Sequence, residues 1–573
     1  MTVSPARRRK DEEPGPSSPV RLSLEPVGAA RPDRRQPSTE DDAVDWDEDR
    51  QSDWGSLLAD LSRPDENATL RVHDRTHLEF LLDYDLRPEE RSESFEWEAY
   101  FFAPESLRLS RRTYDKQDLY SDLQSYVRFA VPEVQFSELC GAPLERVRTA
   151  VAAGEPTTIL RELRLYACIV RASGVEARRS ILSGLDVTSS SIAPPATVDG
   201  APPPSRRAIA LAAADRMITD VAKIGRSLRD ALEPARSMRD PVTTGASWID
   251  EDVSRLLETL MANLSFGLRE ARAPETLVHR AEEAAVAEAR YRDANGLDGI
   301  GRVGMPSREA EHLEFRRHVL KRFTSSVLWL EPQIKTASQW VLHFFYAIAA
   351  SVAMAFATAA ALWSPAGIAN GAGGFLHADF FKWAVVVILA YAAKDRIKAL
   401  LQTIFSDVVA RHFPDRSWRI RDASKTRELA TMKEQSGFIP FEELPRDVLE
   451  VRRATRVSAL EEEARPETVL YHKKTTVVDR ALVRTVEPRC DAITEVYRFD
   501  LRRWLAHTDD PKRQFAFADP RTGVVARASA PRVYNLGVVY RLKRVGDSSD
   551  EARWHRVRVV VTRKGIRRIE TIA

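Results

Sequence analysis

The stretch from Trp340 to Trp363 constrains the fold more than any other part of the chain. Its 24 residues, WVLHFFYAIAASVAMAFATAAALW, contain no Asp, Glu, Lys or Arg. A helix of this length reaches about 36 Å, and the hydrocarbon core of a bilayer is about 30 Å thick. Tryptophan at both ends suits the two membrane interfaces. The sequence therefore predicts a transmembrane helix here.

A second, shorter apolar stretch covers 376–393, so that 340–393 reads as a transmembrane hairpin. Its first third carries His377, Asp379 and Lys382. Charges near the end of a span can reach the interface, which favours a simple anchor. An ion or proton path through the same residues, and hence a channel or transport subunit, is the alternative.

Basic residues flank both ends of this hairpin, whereas the Gly-rich segment between its helices has none. The flanking residues are Arg316, Arg317, Lys321, Arg322, Lys335, Lys394, Arg396 and Lys398. The positive-inside rule places both flanks in the cytoplasm. The sequence thus predicts a bacterial inner (plasma) membrane protein with two spans, in contact with the lipid bilayer, and with both termini cytoplasmic.

Small residues recur every fourth position along the first of these helices. One row contains Ala347, Ser351, Ala355 and Ala359, and a neighbouring row contains Ala349, Ala353, Ala357 and Ala361. Small side chains let helices approach closely. One row could hold the second helix and the other a partner chain, which predicts a homo-oligomer; an alanine-rich helix without such contacts is the alternative.

The apolar pattern continues past the hairpin as an amphipathic helix over 394–414. Its apolar positions are Ile397, Leu400, Leu401, Ile404, Phe405, Val408 and Val409. This spacing of three and four residues is typical of a helix with one apolar face. The face would lie on a membrane surface or pack against the helix that precedes Trp340.

Composition divides the rest of the chain into several units. The first 69 residues are polar, acidic and Pro-rich, which predicts a disordered tail, and a Pro/Ser-rich linker covers 186–205. Between them, 70–185 predicts an α+β domain. The segment 206–339 is helical nearly throughout, which predicts a bundle or stalk, and 415–573 predicts a basic, antiparallel β-rich domain.

Net charge differs between the two sides of the hairpin. From Lys394 onward there are 38 basic and 26 acidic residues, while the preceding part has 48 basic and 58 acidic residues. Opposite charge favours contact between the two parts, or contact of the basic part with an anionic partner. Arginine outnumbers lysine 71 to 15, as is usual for proteins of GC-rich bacteria.

Alternating apolar residues identify several strands. Leu78 to Leu86 and Phe95 to Phe101 predict a β-hairpin, and a helix is expected over 116–129. Further helices are expected near 143–153 and 156–173. In the C-terminal part, Tyr534 to Leu542 and Val557 to Val561 predict a second hairpin.

The second hairpin is rich in arginine and lysine, which predicts a contact surface for anionic lipid head groups; nucleic acid is a weaker alternative, because no nucleic-acid-binding motif occurs. The residues proposed for this surface are Arg541, Lys543, Arg544, Arg556, Arg558, Arg563, Lys564, Arg567 and Arg568.

No phosphate-binding loop, dinucleotide fingerprint, nucleophile elbow or metalloprotease motif occurs. His73 and His77 lack a third metal ligand, and His507 precedes a proline in a turn. Cys140, Cys168 and Cys490 are widely separated and have no CxxC or Cys/His ligand spacing, which argues against a disulfide framework and a zinc site. The sequence therefore predicts no cofactor, metal site or catalytic residue.

The stretch FEWEAYFFAPESLRLSRRTYDKQDLYSDLQSYVRF (95–129), together with a two-helix hairpin followed by β-structure, resembles uncharacterised bacterial membrane proteins. That resemblance implies no activity and no site residues. The sequence favours a membrane-anchored cytoplasmic scaffold or regulator. The alternatives are an enzyme whose site forms between two cytoplasmic domains, and a channel or transport subunit.

Overall fold

The computed structural model describes residues 68–110, 112–185, 205–335, 338–363, 378–424, 426–454, 467–546 and 553–572. The predicted disordered tail lies outside the described residues except at its last two positions. The predicted linker does so except at Ser205. The Gly-rich segment between the two apolar helices lies outside them as well.

Two antiparallel sheets contain most of the described strands. A four-stranded sheet has the order β1-β2-β9-β4, and an eight-stranded sheet has the order β14-β13-β12-β3-β8-β7-β6-β5. Strands β10 and β11 form a separate hairpin. The strands are β1 (Ala68–Val72), β2 (His77–Asp85), β3 (Ser92–Pro104), β4 (Leu123–Phe129), β5 (Glu331–Lys335), β6 (Arg416–Arg421), β7 (Glu428–Ile439), β8 (Glu467–Asp479), β9 (Ala492–Asp500), β10 (Lys512–Ala518), β11 (Val525–Pro531), β12 (Tyr534–Arg544), β13 (His555–Thr562) and β14 (Gly565–Ile572).

Helices fill the middle of the chain, and long ones dominate. They are α1 (Lys116–Asp122), α2 (Ala142–Ala153), α3 (Pro156–Leu185), α4 (Arg206–Arg236), α5 (Val242–Glu270), α6 (Glu275–Ala294), α7 (Ser307–Ser325), α8 (Ser338–Trp363), α9 (Ala378–His412), α10 (Arg446–Ala454), α11 (Arg480–Val486) and α12 (Arg502–Leu505). Short 3-10 turns precede α2 and α10.

The helical layer forms by burial of one apolar stripe on each long helix. The stripe of α5 contains Leu256, Leu257, Leu260 and Leu264, and all four are buried. Helix α3 approaches α5 closely at Gly174, where a Cβ atom would lie 2.5 Å from a methyl group of Leu260. A side chain at position 174 would therefore force the Leu260 side chain to move, since the space between the two helices is filled.

The two sheets pack face to face through aromatic side chains. Phe80 of β2 contacts Trp97 of β3 at 5.3 Å between ring centroids, and Phe101 of β3 contacts Phe499 of β9 at 5.2 Å. Such contacts between aromatic rings add to the burial of large apolar surfaces. Strand β3 is therefore covered on one face by the smaller sheet.

Strands from the two ends of the chain share both sheets, so the predicted fold class with separate N-terminal and C-terminal domains is wrong. Strand β3 pairs with β8 and β12, and β2 pairs with β9. The pattern of alternation identified which residues are buried, but it carries no information on which strand lies alongside.

The predicted hairpin between β2 and β3 is wrong for the same reason, because these strands belong to different sheets. The helix expected over 116–129 ends at Asp122, and Leu123–Phe129 continues as β4. The helices near 143–153 and 156–173 are confirmed as α2 and α3. The hairpin of β12 and β13 is also confirmed, with Tyr534 opposite Val561.

The prediction of a transmembrane hairpin is wrong as well. Within the described residues, no helix combines the length and the apolar composition needed to cross a bilayer. The predicted membrane fold class and the two-span inner-membrane location are therefore wrong. Helices do form at both places, as α8 and α9.

The composition of the two apolar stretches explains why they form helices that fall short of a membrane span. Between Lys382 and Lys394, α9 has 11 uncharged residues, which extend about 16 Å, roughly half of a bilayer core. Nine of the 26 residues of α8 are alanine. Alanine is the strongest helix former and has a small side chain. The composition of this stretch therefore indicates a helix and does not require a membrane around it.

Candidate functional site

A pocket of about 740 Å³ opens where α2, α3 and α4 meet the segment that precedes β9. Its apolar lining comes from Pro132, Val134, Ala142, Pro143 and Ile169. Its polar lining comes from Ser137, Glu138, Cys140, Arg146, Glu162, Tyr166, Lys223, Ser227 and Arg489. This size and this mixture of walls are typical of sites for small organic molecules. We refer to it as the anion pocket because Arg146, Lys223 and Arg489 contribute to its lining.

Tyr166 of α3 is the polar group buried most deeply in the lining. The residue is 1% exposed, and its hydroxyl has no hydrogen-bond partner among the described residues. Burial, and to a smaller degree the neighbouring Cys140 thiol, raise the pKa of Tyr166, so the hydroxyl stays protonated. A buried hydroxyl without a partner costs about 1–3 kcal/mol. A ligand with an acceptor atom would remove this cost.

The start of helix α2 forms one wall of the anion pocket. Its N-cap residue is Gly141, and no side chain caps the helix there. The N-terminal end of a helix carries a partial positive charge and N–H groups that favour anions. Pro143 in the first turn contributes no N–H group, so the helix offers its charge here more than its hydrogen bonds.

Two cationic side chains stand at the mouth of the anion pocket. Arg146 of α2 and Lys223 of α4 are both exposed, and neither has an ion-pair partner in the described part of the chain. Glu138 and Glu162 are the acidic residues of the same lining, and Glu162 is paired with Arg489. Since Arg146 and Lys223 come from different helices, they can approach an anionic group from two sides.

Arg489 forms the rigid back of the anion pocket. Its guanidinium donates to both oxygens of Glu162 at 2.7 and 2.9 Å and from Nε to Glu487 at 2.6 Å. Burial disfavours the charge on Arg489, but its hydrogen bonds to Glu487 and Glu162 outweigh burial and raise its pKa. Arg161 binds Glu487 as well, at 2.5 Å. This network fixes α3 to the segment that precedes β9.

Cys140 is the accessible thiol of the protein. It is half-buried in the pocket wall, whereas Cys168 and Cys490 are buried. The Cys168 thiol lies 3.5 Å from the carbonyl oxygen of Thr324, and burial raises its pKa to about 12. A thiol reagent should therefore modify Cys140 first, because accessible thiolate is the reactive form.

The basic residues predicted to contact anionic lipids lie mostly beside carboxylates. Arg541 pairs with Glu98 at 2.8 Å, and Lys543 pairs with Glu96 at 2.7 Å. These acids belong to β3, which lies alongside β12. The remaining pairs are Arg544 with Glu93, Arg558 and Arg568 with Glu570, and Arg563 with Asp510. The lipid contact itself stays a prediction.

The other three residues of that set are placed differently. Arg556 is buried, and its guanidinium lies 3.4 Å from the carbonyl oxygen of Val451. Lys564 is exposed in the turn between β13 and β14, and Arg567 is partly buried on β14. The nine residues therefore do not converge on one site.

The four residues predicted for helix packing lie on the free side of α8. Ala347, Ser351, Ala355 and Ala359 are exposed, while Ala349 and Ala353 of the neighbouring row are buried. The structure thus separates the two rows.

The histidines considered as metal ligands or catalytic groups lie away from the anion pocket. His77 donates from Nδ1 to the Asp74 carboxylate at 2.9 Å, and His73 lies 3.5 Å from Glu79. His507 is exposed in the turn after α12. Among the described residues, no group of three or more His, Cys, Asp or Glu side chains could hold a metal ion.

Sequence reasoning missed the anion pocket because its residues are spread from position 132 to position 489. One signal was present in the sequence. Helix α2 begins with Gly-Ala-Pro, without the Ser, Thr, Asp or Asn that usually caps a helix. An uncapped N-terminus leaves an anion-binding end open, but its partners Tyr166, Lys223 and Arg489 are joined to it only by the fold.

No protein-family model, curated protein or solved structure matches this chain. The resemblance to uncharacterised bacterial membrane proteins therefore stays a prediction.

Proposed function

We propose that the protein is a regulator that binds a small anionic molecule with an apolar body in the anion pocket. The observation that carries this proposal is the hydroxyl of Tyr166, which is buried in a pocket of ligand size and has no hydrogen-bond partner in the part of the chain that the structure describes. Native proteins pair nearly all buried polar groups, and an exception at a pocket wall points to a missing ligand atom.

Charge selects the class of ligand. The start of α2 and the side chains of Arg146 and Lys223 all favour a negative group, and Arg146 and Lys223 have no acidic partner among the described residues. The apolar wall favours a carbon skeleton behind that group. An aromatic or branched carboxylate fits both requirements, with its carboxylate accepting from the Tyr166 hydroxyl and its carbon skeleton against the apolar wall.

The position of the anion pocket supports regulation. Helix α3 and the segment before β9 meet there through Glu162 and Arg489, and β9 lies inside the four-stranded sheet. A ligand that contacts both would change the free energy of their association, which is what a regulatory effector requires. The Cys140 thiol in this lining has no hydrogen-bonded base among the described residues, so binding accounts for the pocket better than catalysis does.

Calorimetry with matched ligands tests the proposal. We expect 2-naphthoate to bind once per chain, and the neutral, nearly isosteric 2-naphthamide to bind at least about ten-fold more weakly. Lys223→Ala should weaken 2-naphthoate by a similar factor and leave 2-naphthamide unchanged. Lys512→Ala, on the exposed strand β10, is the matched control. Equal affinities for the two ligands would refute the anionic assignment.

A further inference from the structure

Helices α8 and α9 expose a large apolar surface although they pack against each other. Their contact includes Phe345 and Phe405, with ring centroids 5.1 Å apart, and it buries Ala349 and Ala353. Large apolar side chains elsewhere on the pair are half exposed or more: Phe344 64%, Val352 48%, Met354 59%, Val385 49%, Ile388 66%, Leu389 63%, Tyr391 60% and Leu400 62%. We call this the α8–α9 apolar surface.

The size of the surface exceeds what a free protein normally exposes. With about 150–200 Å² for each fully exposed large side chain, these residues present roughly 700–950 Å² of apolar area. The largest apolar patch on a typical monomer covers about 300–600 Å², whereas a stable interface buries about 800 Å² on each partner. The area therefore corresponds to one side of a protein interface.

One face of α8 is shaped for close approach of another helix. Ala347, Ser351, Ala355 and Ala359 follow one another along its exposed side. A groove of about 380 Å³ opens beside Ser351 and is bounded by Met354 and by residues of α9. A helix that lay along this face could insert a side chain into the groove.

Charges of both signs line the groove. Lys394, Asp395 and Lys398 of α9 contribute to it; Asp395 is 63% exposed and lies 3.8 Å from Lys394, and Lys398 has no ion-pair partner among the described residues. Two-fold symmetry would bring the acid of one chain toward the lysine of the other, because a symmetric interface uses the same patch twice. An unrelated partner would need its own matching charges.

We infer that a second copy of this chain packs against the face of α8 that contains Ala347, Ser351, Ala355 and Ala359. The two helix pairs form a four-helix arrangement that covers the α8–α9 apolar surface. The inference is independent of ligand binding in the anion pocket.

Cysteine cross-linking on the full chain tests this arrangement. In a Cys140→Ser background, which removes the accessible thiol, Ser351→Cys and Ala355→Cys place thiols on the exposed face. Two facing thiols form a disulfide only when their Cα atoms lie within about 7 Å. Ala349→Cys places a thiol two residues before Ser351 on the buried face and is the matched control.

Oxidation should convert Ser351→Cys or Ala355→Cys into a species of twice the 64.6-kDa chain mass, and Ala349→Cys should stay monomeric. Ala355→Trp, which blocks close approach at an exposed position, should raise the dimer dissociation constant at least ten-fold. Equal cross-linking at Ala349, or none on the exposed face, would overturn the inference. A monomer that sediments with lipid vesicles would assign the face to lipid and overturn it as well.

Discussion

Glu162 and Arg489 form a bidentate ion pair across 327 residues of sequence, with nitrogen–oxygen distances of 2.7 and 2.9 Å. The pair joins α3 to the segment before β9, and both side chains are about 15% exposed. Because water screens a partly buried pair only weakly, it contributes more than a surface pair does.

Replacement of Glu162 by alanine should therefore lower the free energy of unfolding by about 1–3 kcal/mol. Urea denaturation measures this loss. Glu145→Ala is the control, since Glu145 pairs with Arg148 on the exposed side of α2 and should change stability by less than about 0.5 kcal/mol. Equal losses in the two variants would show that the Glu162–Arg489 pair has no special role.

Tyr166→Phe separates ligand binding from stability. It removes a hydroxyl that has no partner among the described residues, so the free protein should keep its stability or gain up to about 1 kcal/mol. Binding of 2-naphthoate should weaken several-fold in the same variant. A stability loss of more than about 1 kcal/mol would show that the hydroxyl is already paired in solution.

Lys474 is the buried cation between the two sheets. It is 2% exposed, its Nζ lies 2.7 Å from Glu434, and it also pairs with Glu495. Lys474→Met leaves both carboxylates without their cation and should cost about 3–5 kcal/mol, measured by denaturation. Lys473→Met, one residue away on the opposite face and paired with Glu98, should cost about 1 kcal/mol or less.

His472 should make stability depend on pH. Burial, together with the nearby charge of Lys474, lowers the pKa of His472 well below its usual value, so the folded protein holds a neutral ring between Ser436 and Tyr497. The unfolded chain takes up a proton near pH 6.5, so the contribution of neutral His472 is present above that pH. It is lost as the pH falls, by up to about 1.4 kcal/mol per pH unit.

Comparison with His472→Gln isolates this effect from the other titrating groups. The stability difference between wild type and His472→Gln should shrink between pH 7.5 and pH 5.5. A difference that stays constant over this range would contradict a neutral, buried ring.

The sequence located most strands and helices, because burial leaves a periodic apolar pattern in each element. The pattern of β12 and β13 also revealed their pairing, since a short turn joins them. It could not reveal that β3 lies between β8 and β12, because contacts over more than 350 residues leave no local trace. Three consecutive apolar residues, Tyr100, Phe101 and Phe102, are the sequence signal of a strand covered on both faces, and all three are buried.

The charge difference between the two parts of the chain predicts contact between them as one alternative, and the pairing of β3 with β12 shows such a contact. Glu96 and Glu98 of β3 lie opposite Lys543 and Arg541 of β12, so acids of the first part face bases of the second. The apolar runs of α8 and α9 correctly predict helices. Hydropathy alone cannot distinguish a helix that is surrounded by lipid from a helix whose apolar face contacts protein. The anion pocket was out of reach, since Tyr166 and Lys223 belong to separate helices and match no motif.

Protection of Cys140 from alkylation tests the central claim most directly. Cys140 lines the anion pocket, and the other two cysteines are buried, so mass spectrometry after brief treatment with N-ethylmaleimide reports on this site. We predict that saturating 2-naphthoate slows labelling of Cys140 at least ten-fold, that 2-naphthamide at the same concentration does not, and that Lys223→Ala removes the protection. Labelling of Cys140 at the same rate with and without 2-naphthoate would contradict an anionic ligand in this pocket.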